Sequence, residues 1–138
     1  MTWYLDSSVI LQQAFDQPGP LDLGALQPGV TSRITELECL RAIDRGRFLG
    51  KIALAEIPLR QGWVATVLNS LTLIEMDRSI LALAGAPAPV PLGTLDGIHL
   101  ASALHFRAEP GGDPLSIATH DKGLAAAARA YGFPVIGA

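Results

Sequence analysis

Three aspartates and one glutamate, far apart in the chain, carry most of the chemistry this sequence offers. Asp6 ends the short apolar run from Trp3 to Leu5, and Asp121 follows the run from Leu115 to Ala118. Asp96 lies just after Thr94 at the start of a helical pattern, and Glu38 lies inside another. Four carboxylates converging on one cleft repel each other unless a divalent cation neutralises them. An all-oxygen donor set selects a hard ion such as Mg²⁺ or Mn²⁺. Taken singly, each aspartate is also explained by helix capping and the helix dipole, worth about 0.3–1 kcal/mol. Glu38 could equally form an exposed pair with Arg41. Glu36 competes with Glu38, because both flank the apolar stripe and periodicity does not choose between them.

Other polar side chains sit beside these acids. Ser7, Ser8 and Thr119 have two readings: donors that fix carboxylate rotamers, or helix caps. His120 adjoins Asp121, but consecutive residues after a strand diverge, which argues against shared metal ligation. His99, one turn after Asp96, reads as a polar helix-face residue, with contact to the site as its other reading, and His105 carries no assignment. Cys39 is the single cysteine, so no internal disulfide or zinc ribbon is available, and it reads as a thiol buried on a helix. The net charge of −3 argues against nucleic-acid binding by bulk electrostatics. Local placement matters more. No Lys or Arg precedes Arg33, whereas Arg33, Arg41, Arg45, Arg47, Lys51 and Arg60 crowd one segment. That segment is either a phosphate-facing surface or a solvated helical face.

The elements that must position these groups follow from the apolar pattern. With 138 residues, 49% of them hydrophobic, and 17% charged, the chain is expected to fold as one domain over residues 1–138. No stretch approaches the roughly 20 apolar residues of a membrane span, and no leader pattern opens the chain, so a cytoplasmic location is expected. Strands are expected at Trp3 to Leu5, Val30 to Thr31, Leu71 to Met76, Leu115 to Ala118 and Pro134 to Ile136. A serine after Asp6 is expected to cap the helix from Val9 to Phe15. Ser32 is expected to cap a helix that buries Ile34, Leu37, Leu40 and Ile43 and stops at Gly46. Pro58 breaks or begins a helix within Lys51 to Leu68. Helices also follow at Ser79 to Ala84, Leu95 to Phe106 and Asp121 to Tyr131. Short apolar strands alternating with helices describe an α/β fold, a three-layer α/β/α sandwich around a short parallel sheet. In such a sheet functional groups gather beyond the carboxyl ends of the strands.

Four segments, in order, resemble the PIN-domain ribonuclease family, and specifically VapC-type toxins of toxin–antitoxin pairs. They are Tyr4-Leu5-Asp6-Ser7-Ser8-Val9-Ile10, Thr31-Ser32-Arg33-Ile34-Thr35-Glu36-Leu37-Glu38, the run from Leu95-Asp96-Gly97 to Leu104, and Ala118-Thr119-His120-Asp121-Lys122-Gly123-Leu124. The resemblance extends over essentially the whole chain. It implies a Mg²⁺-dependent endoribonuclease with Asp6, Glu38, Asp96 and Asp121 as catalytic acids. Asp6, Asp96 and Asp121 would hold the metal, and the family spacing from Ser32 favours Glu38 over Glu36. It also implies cleavage to a 3′-hydroxyl and a 5′-phosphate, a cognate antitoxin whose C-terminal segment lies in the groove leading to the site, and a homodimer. Arg33, Arg41 and Arg45 are the expected RNA contacts, while Trp63, Val64, Val67 and Leu68 offer either a docking surface or core. Two other readings remain: a catalytically silent PIN-like binding module, and another acidic α/β phosphotransfer enzyme. The first would lack a carboxylate, and none is missing. The second would place Asp-x-Asp after the first strand or an acidic pair near it, and this chain has Asp6-Ser7-Ser8.

Overall fold

The computed structural model describes residues 1–138. Five short strands form one sheet: β1 (Thr2–Leu5), β2 (Gly29–Ser32), β3 (Thr72–Ile74), β4 (Leu115–Ala118) and β5 (Val135–Ile136). All neighbours are parallel, in the order β3-β2-β1-β4-β5, with Tyr4 opposite Val30 on one side and Ile117 on the other. Six α-helices accompany them: α1 (Ser7–Ala14), α2 (Ile34–Phe48), α3 (Ile57–Asn69), α4 (Arg78–Ala84), α5 (Thr94–Arg107) and α6 (Lys122–Ala130).

The alternation of side chains along β1 divides the interior into two cores. Trp3 and Leu5 join Val9, Ile10, Ile43, Val64 and Leu68 under α1, α2 and α3. Tyr4 points the other way and joins Leu100, Ala103, Leu124 and Ala128 under α5 and α6. Helices therefore cover both sheet faces, which is the expected α/β/α sandwich. Val64 and Leu68 belong to the core, while Trp63 and Val67 are only partly buried against it. No helix is long and apolar enough to cross a membrane.

The order of strands also fixes where a crevice opens. From β1 the chain moves outward through β2 and β3, then returns to place β4 on the opposite side of β1. Connections thus diverge above the carboxyl ends of β1 and β4, leaving a gap between them. Asp6 and the segment from Thr119 to Asp121 emerge into that gap.

Several local expectations are corrected. Asp6, rather than a serine, occupies the N-cap position of α1. Gly93, rather than Thr94, precedes α5. Gly46 does not end α2 but lies within it, because a Cβ there would come within 2.7 Å of the Phe15 ring. Its absence lets α2 lie close to α1. The turn after α2 uses Gly50 instead, at φ +72°. The buried face of α2 is Thr35, Cys39, Ile43 and Gly46, and Leu37 is 54% exposed. The buried face is thus rotated from the expected one, keeping Ile43 but not Leu37, and only at Gly46 does the Phe15 ring leave no room for a side chain. Pro58 marks the start of α3, where its missing N–H costs nothing.

Candidate active site

Two hydroxyls join the loops after β1 and β4. Ser8 Oγ donates to Asp6 Oδ1 at 2.6 Å and accepts from the His120 backbone N–H at 2.9 Å. Thr119 Oγ1 donates to Asp6 Oδ2 at 3.0 Å and accepts from the Asp121 backbone N–H at 3.0 Å. Asp6 is only 3% exposed and each oxygen has one hydroxyl partner. Its carboxyl is raised above the ordinary carboxylate range, chiefly by burial and further by the charge of Glu38. Hydrogen bonds from Ser8 and Thr119 and the proximity of His99 oppose the shift. Although Asp6 stands at the N-cap of α1, its side chain makes no capping bond. Ser7 is buried beside it and makes no hydrogen bond to the carboxylate.

Asp121 does cap its helix, with Oδ1 accepting from the Leu124 N–H at 2.7 Å. That bond leaves Oδ2 without a protein partner. Asp96 lies in the first turn of α5 without capping it. Its carboxyl is pushed up to about 6, first by burial, then by the negative charges of Asp121 and Asp6, with Glu38 adding to the same effect. Capping therefore accounts for Asp121 but not for Asp6 or Asp96. Their raised proton affinity reports a cleft in which acidic groups from four elements act on one another.

Glu38 reaches this cleft from α2, whereas Glu36 is exposed to solvent. A hydrogen-bonded chain sets the helix in place. Thr31 Oγ1 donates to the Leu5 carbonyl at 2.6 Å, so Thr35, 2.6 Å from Thr31 Oγ1, must donate to it. Glu38, 15% exposed, then meets His99 Nε2 through Oε1 at 2.6 Å. On its other side His99 Nδ1 lies 2.7 Å from the Tyr4 hydroxyl. His99 is 1% exposed, so it is no helix-face residue. Burial first, and then the charge of Asp6, holds the Tyr4 hydroxyl in its protonated form. The arrangement that satisfies every group has Tyr4 O–H donating to Nδ1 and Nε2–H donating to Glu38.

The donor set is entirely carboxylate and suits a hard cation. No three acidic, histidine or cysteine side chains form a ready-made metal site. Mg²⁺ fits such an incomplete cage, because it keeps several waters and is held through one or two carboxylates. His120 is turned elsewhere: Nδ1 donates to the Gly137 carbonyl at 3.0 Å, and Nε2 has no partner. Gly137, at φ +97°, brings the C-terminal turn so close that a Cβ would lie 2.4 Å from the Thr119 carbonyl oxygen. Cys39 is buried on α2, where burial and the charge of Glu38 push its thiol up to about 12.

Most of the basic segment is already paired. Arg33 binds Glu75, Arg41 and Arg47 bind Asp44, and Arg60 binds Asp16 and Glu56. Arg45 and Lys51 make no such pair, and both line a cavity of about 330 Å³ with Ser8 and His120. Arg45, Leu11 and Ala42 also line a second cavity of about 270 Å³ that reaches Ser7 and Glu38. A groove between α1 and α2 thus runs from the unpaired cations to the acidic cleft.

No family model matches the chain. It is 33% identical over 141 residues to Ribonuclease VapC46 of Mycobacterium tuberculosis (strain ATCC 25618 / H37Rv), covering 96% of this chain and 95% of that protein. A toxin-antitoxin complex from Klebsiella pneumoniae matches its fold with a TM-score of 0.62 at 19% identity, covering 98% of this chain and 96% of that one. FitAcB from Neisseria gonorrhoeae matches with a TM-score of 0.63 at 18% identity, covering 97% and 96%. At these identities the structural likeness is one of fold.

Proposed function

The chain belongs to the VapC ribonuclease group of the PIN-domain family, and from that premise we propose that it is a Mg²⁺- or Mn²⁺-dependent endoribonuclease toxin. The observation that carries the reading is Asp6, 3% exposed, with the Ser8 and Thr119 hydroxyls on its two oxygens and no basic side chain paired to it, in the cleft where Asp121 and Asp6 also act on Asp96. Unpaired acidic groups gathered at a sheet switch point are destabilising unless a cation answers them. Asp6, Asp96 and Asp121 would hold that cation. When bound, it lowers the pKa of a water and offsets charge on the phosphodiester oxygens.

The remaining work falls to the chain. Ser8 and Thr119 hold both oxygens of Asp6, so its rotamer is set before any ligand arrives. Asp121 commits Oδ1 to its helix and offers Oδ2. Glu38 is anchored through Oε1 and keeps Oε2 to orient the attacking water or take its proton. Attack at phosphorus with rupture of the P–O3′ bond yields a 3′-hydroxyl and a 5′-phosphate, the products expected of the family. Arg45 and Lys51 are the cations available to RNA phosphates, while Arg33 and Arg41 would first have to leave their carboxylate partners.

A cognate antitoxin, a homodimer and a cytoplasmic setting complete the proposal. The antitoxin would fill the α1–α2 groove, where the exposed Leu37 and Leu95 flank Glu38. Incubating the purified chain with total RNA and Mg²⁺ tests the enzymatic reading. Wild type should cleave, EDTA should stop it, and Asp6→Asn and Asp96→Asn should be nearly inactive. Equal activity in all three proteins rejects it.

A further inference from the structure

The geometry points to His99 and Tyr4 as positioning residues that hold Glu38 in its working orientation. This rests on the reading of Glu38 as a catalytic acid. A histidine with 1% exposure that bonds through both ring nitrogens is fully committed, and its two partners come from different layers. Tyr4 stands on the central strand β1, His99 on α5 and Glu38 on α2, so the chain of hydrogen bonds ties three elements together. The bond to Glu38, at 2.6 Å, spans 61 positions in sequence, and the bond to Tyr4, at 2.7 Å, spans 95.

Each link has a directional consequence. Tyr4 O–H can donate only to a ring nitrogen that carries no proton, so it directs the imidazole proton to Nε2. Nε2–H then faces Glu38 Oε1 as a donor. The opposite tautomer would set a nitrogen lone pair against the carboxylate and release it. Glu38 would otherwise sample several rotamers at the mouth of the groove, while Glu36, two residues earlier, has no such anchor. Three neighbouring features are thereby explained: why α5 carries a histidine one turn after Asp96, why an aromatic hydroxyl is buried two residues before Asp6, and why Glu38 rather than Glu36 enters the cleft. Ser102, one turn beyond His99, uses its own hydroxyl on the Ile98 carbonyl and does not compete for Nδ1.

A double-mutant cycle with an independent spectroscopic readout tests this. In RNA cleavage with Mg²⁺, His99→Met should lower kcat by about 10–100-fold with little change in KM, and His99→Gln, which keeps a donor toward Glu38, should recover most of it. In a Glu38→Gln background, His99→Met should cost almost nothing more, because its effect passes through Glu38. A full additional loss there would overturn the proposal. Tyr4→Phe should lower kcat less than His99→Met and show the same dependence on Glu38. Nitrogen-15 spectra of the metal-free protein should show a protonated Nε2 and an unprotonated Nδ1 on His99. A proton on Nδ1 would contradict the assignment whether or not the protein cleaves RNA. Conversely, an Nε2-protonated ring in a protein that never cleaves RNA would keep the linkage and reject the nuclease reading alone.

Discussion

Asp6 in the cleft and Arg33 on the α2–β3 surface are both charged, yet their surroundings are opposite. Asp6 is 3% exposed and has hydroxyls but no cation for company. The Arg33 and Glu75 side chains are 49% and 66% exposed and face each other directly. Exposed pairs of this kind contribute about 0–1 kcal/mol, whereas a buried carboxylate without a counter-charge costs several times more. Cost without compensation marks the place where function resides. The acidic cleft is held at the expense of stability, while the paired arginines do little beyond keeping the surface soluble.

Replacing an acid should separate activity from stability most sharply. Asp6→Asn or Asp96→Asn should reduce Mg²⁺-supported RNA cleavage by about 100-fold or more, the loss expected when several kcal/mol of transition-state stabilisation disappears. In EDTA at neutral pH the same variants should melt no lower than wild type, and Asp96→Asn should melt higher, since a raised carboxyl has been removed. A matching fall in melting temperature would place Asp96 among ordinary stabilising carboxylates.

The pH dependence should differ between the two regions in sign. The Asp96 carboxyl is raised from 3.8 to about 6, so the folded chain holds a proton that the unfolded chain has lost. Its contribution is fully present below the unfolded value and is lost as pH rises through about 6. Glu75 and Asp44 are lowered by their arginine partners and contribute in the reverse direction, with stability lost on acidification. Metal-free melting curves should therefore lose a destabilising step near pH 6 in Asp96→Asn. Saturating Mn²⁺ should stabilise wild type at pH 7 more than this variant, because the ion binds the folded state.

Within the basic segment the pairing predicts which residues matter to RNA. Lys51→Ala and Arg45→Ala should each weaken RNA binding a few-fold and reduce the salt slope by about 0.7, one phosphate contact on a single strand. Arg33→Ala should leave that slope unchanged and alter stability by less than about 1 kcal/mol. A reversed order would mean that the ion pairs open on binding and that the α1–α2 groove is not the path.

The sheet and the three aspartates were legible because strand ends and helix starts are local signals, and the parallel order brings those ends together. Glu38 could not be separated from Glu36 by periodicity, since the choice depends on His99, which lies 61 positions away. The burial of His99 is not what a polar helix-face residue implies, although two hints of it are present in the sequence. Tyr4 lies two residues before Asp6 along extended backbone, and His99 follows Asp96 by one helical turn, so both polar rings lie beside acids of the same cleft. A buried tyrosine also needs a partner for its hydroxyl. Within the arginine segment, the pairing of Arg33 with Glu75, 42 positions away, has no local signal, whereas Arg41 and Arg47 with Asp44 and Arg60 with Glu56 are pairs at helical spacing. In α2 the expected apolar stripe gave way to Thr35, Cys39, Ile43 and Gly46 because long-range partners, Thr31 at Thr35 and the Phe15 ring at Gly46, set the buried face there.

If the acids of the cleft share a divalent ion, titration calorimetry with Mn²⁺ detects it without reference to any RNA. Wild type should bind Mn²⁺ near neutral pH, compete it with Mg²⁺, and release protons on binding when the titration is run close to pH 6. Asp6→Asn and Asp96→Asn should bind far more weakly. Undiminished binding in both variants, or none in wild type, would contradict the account.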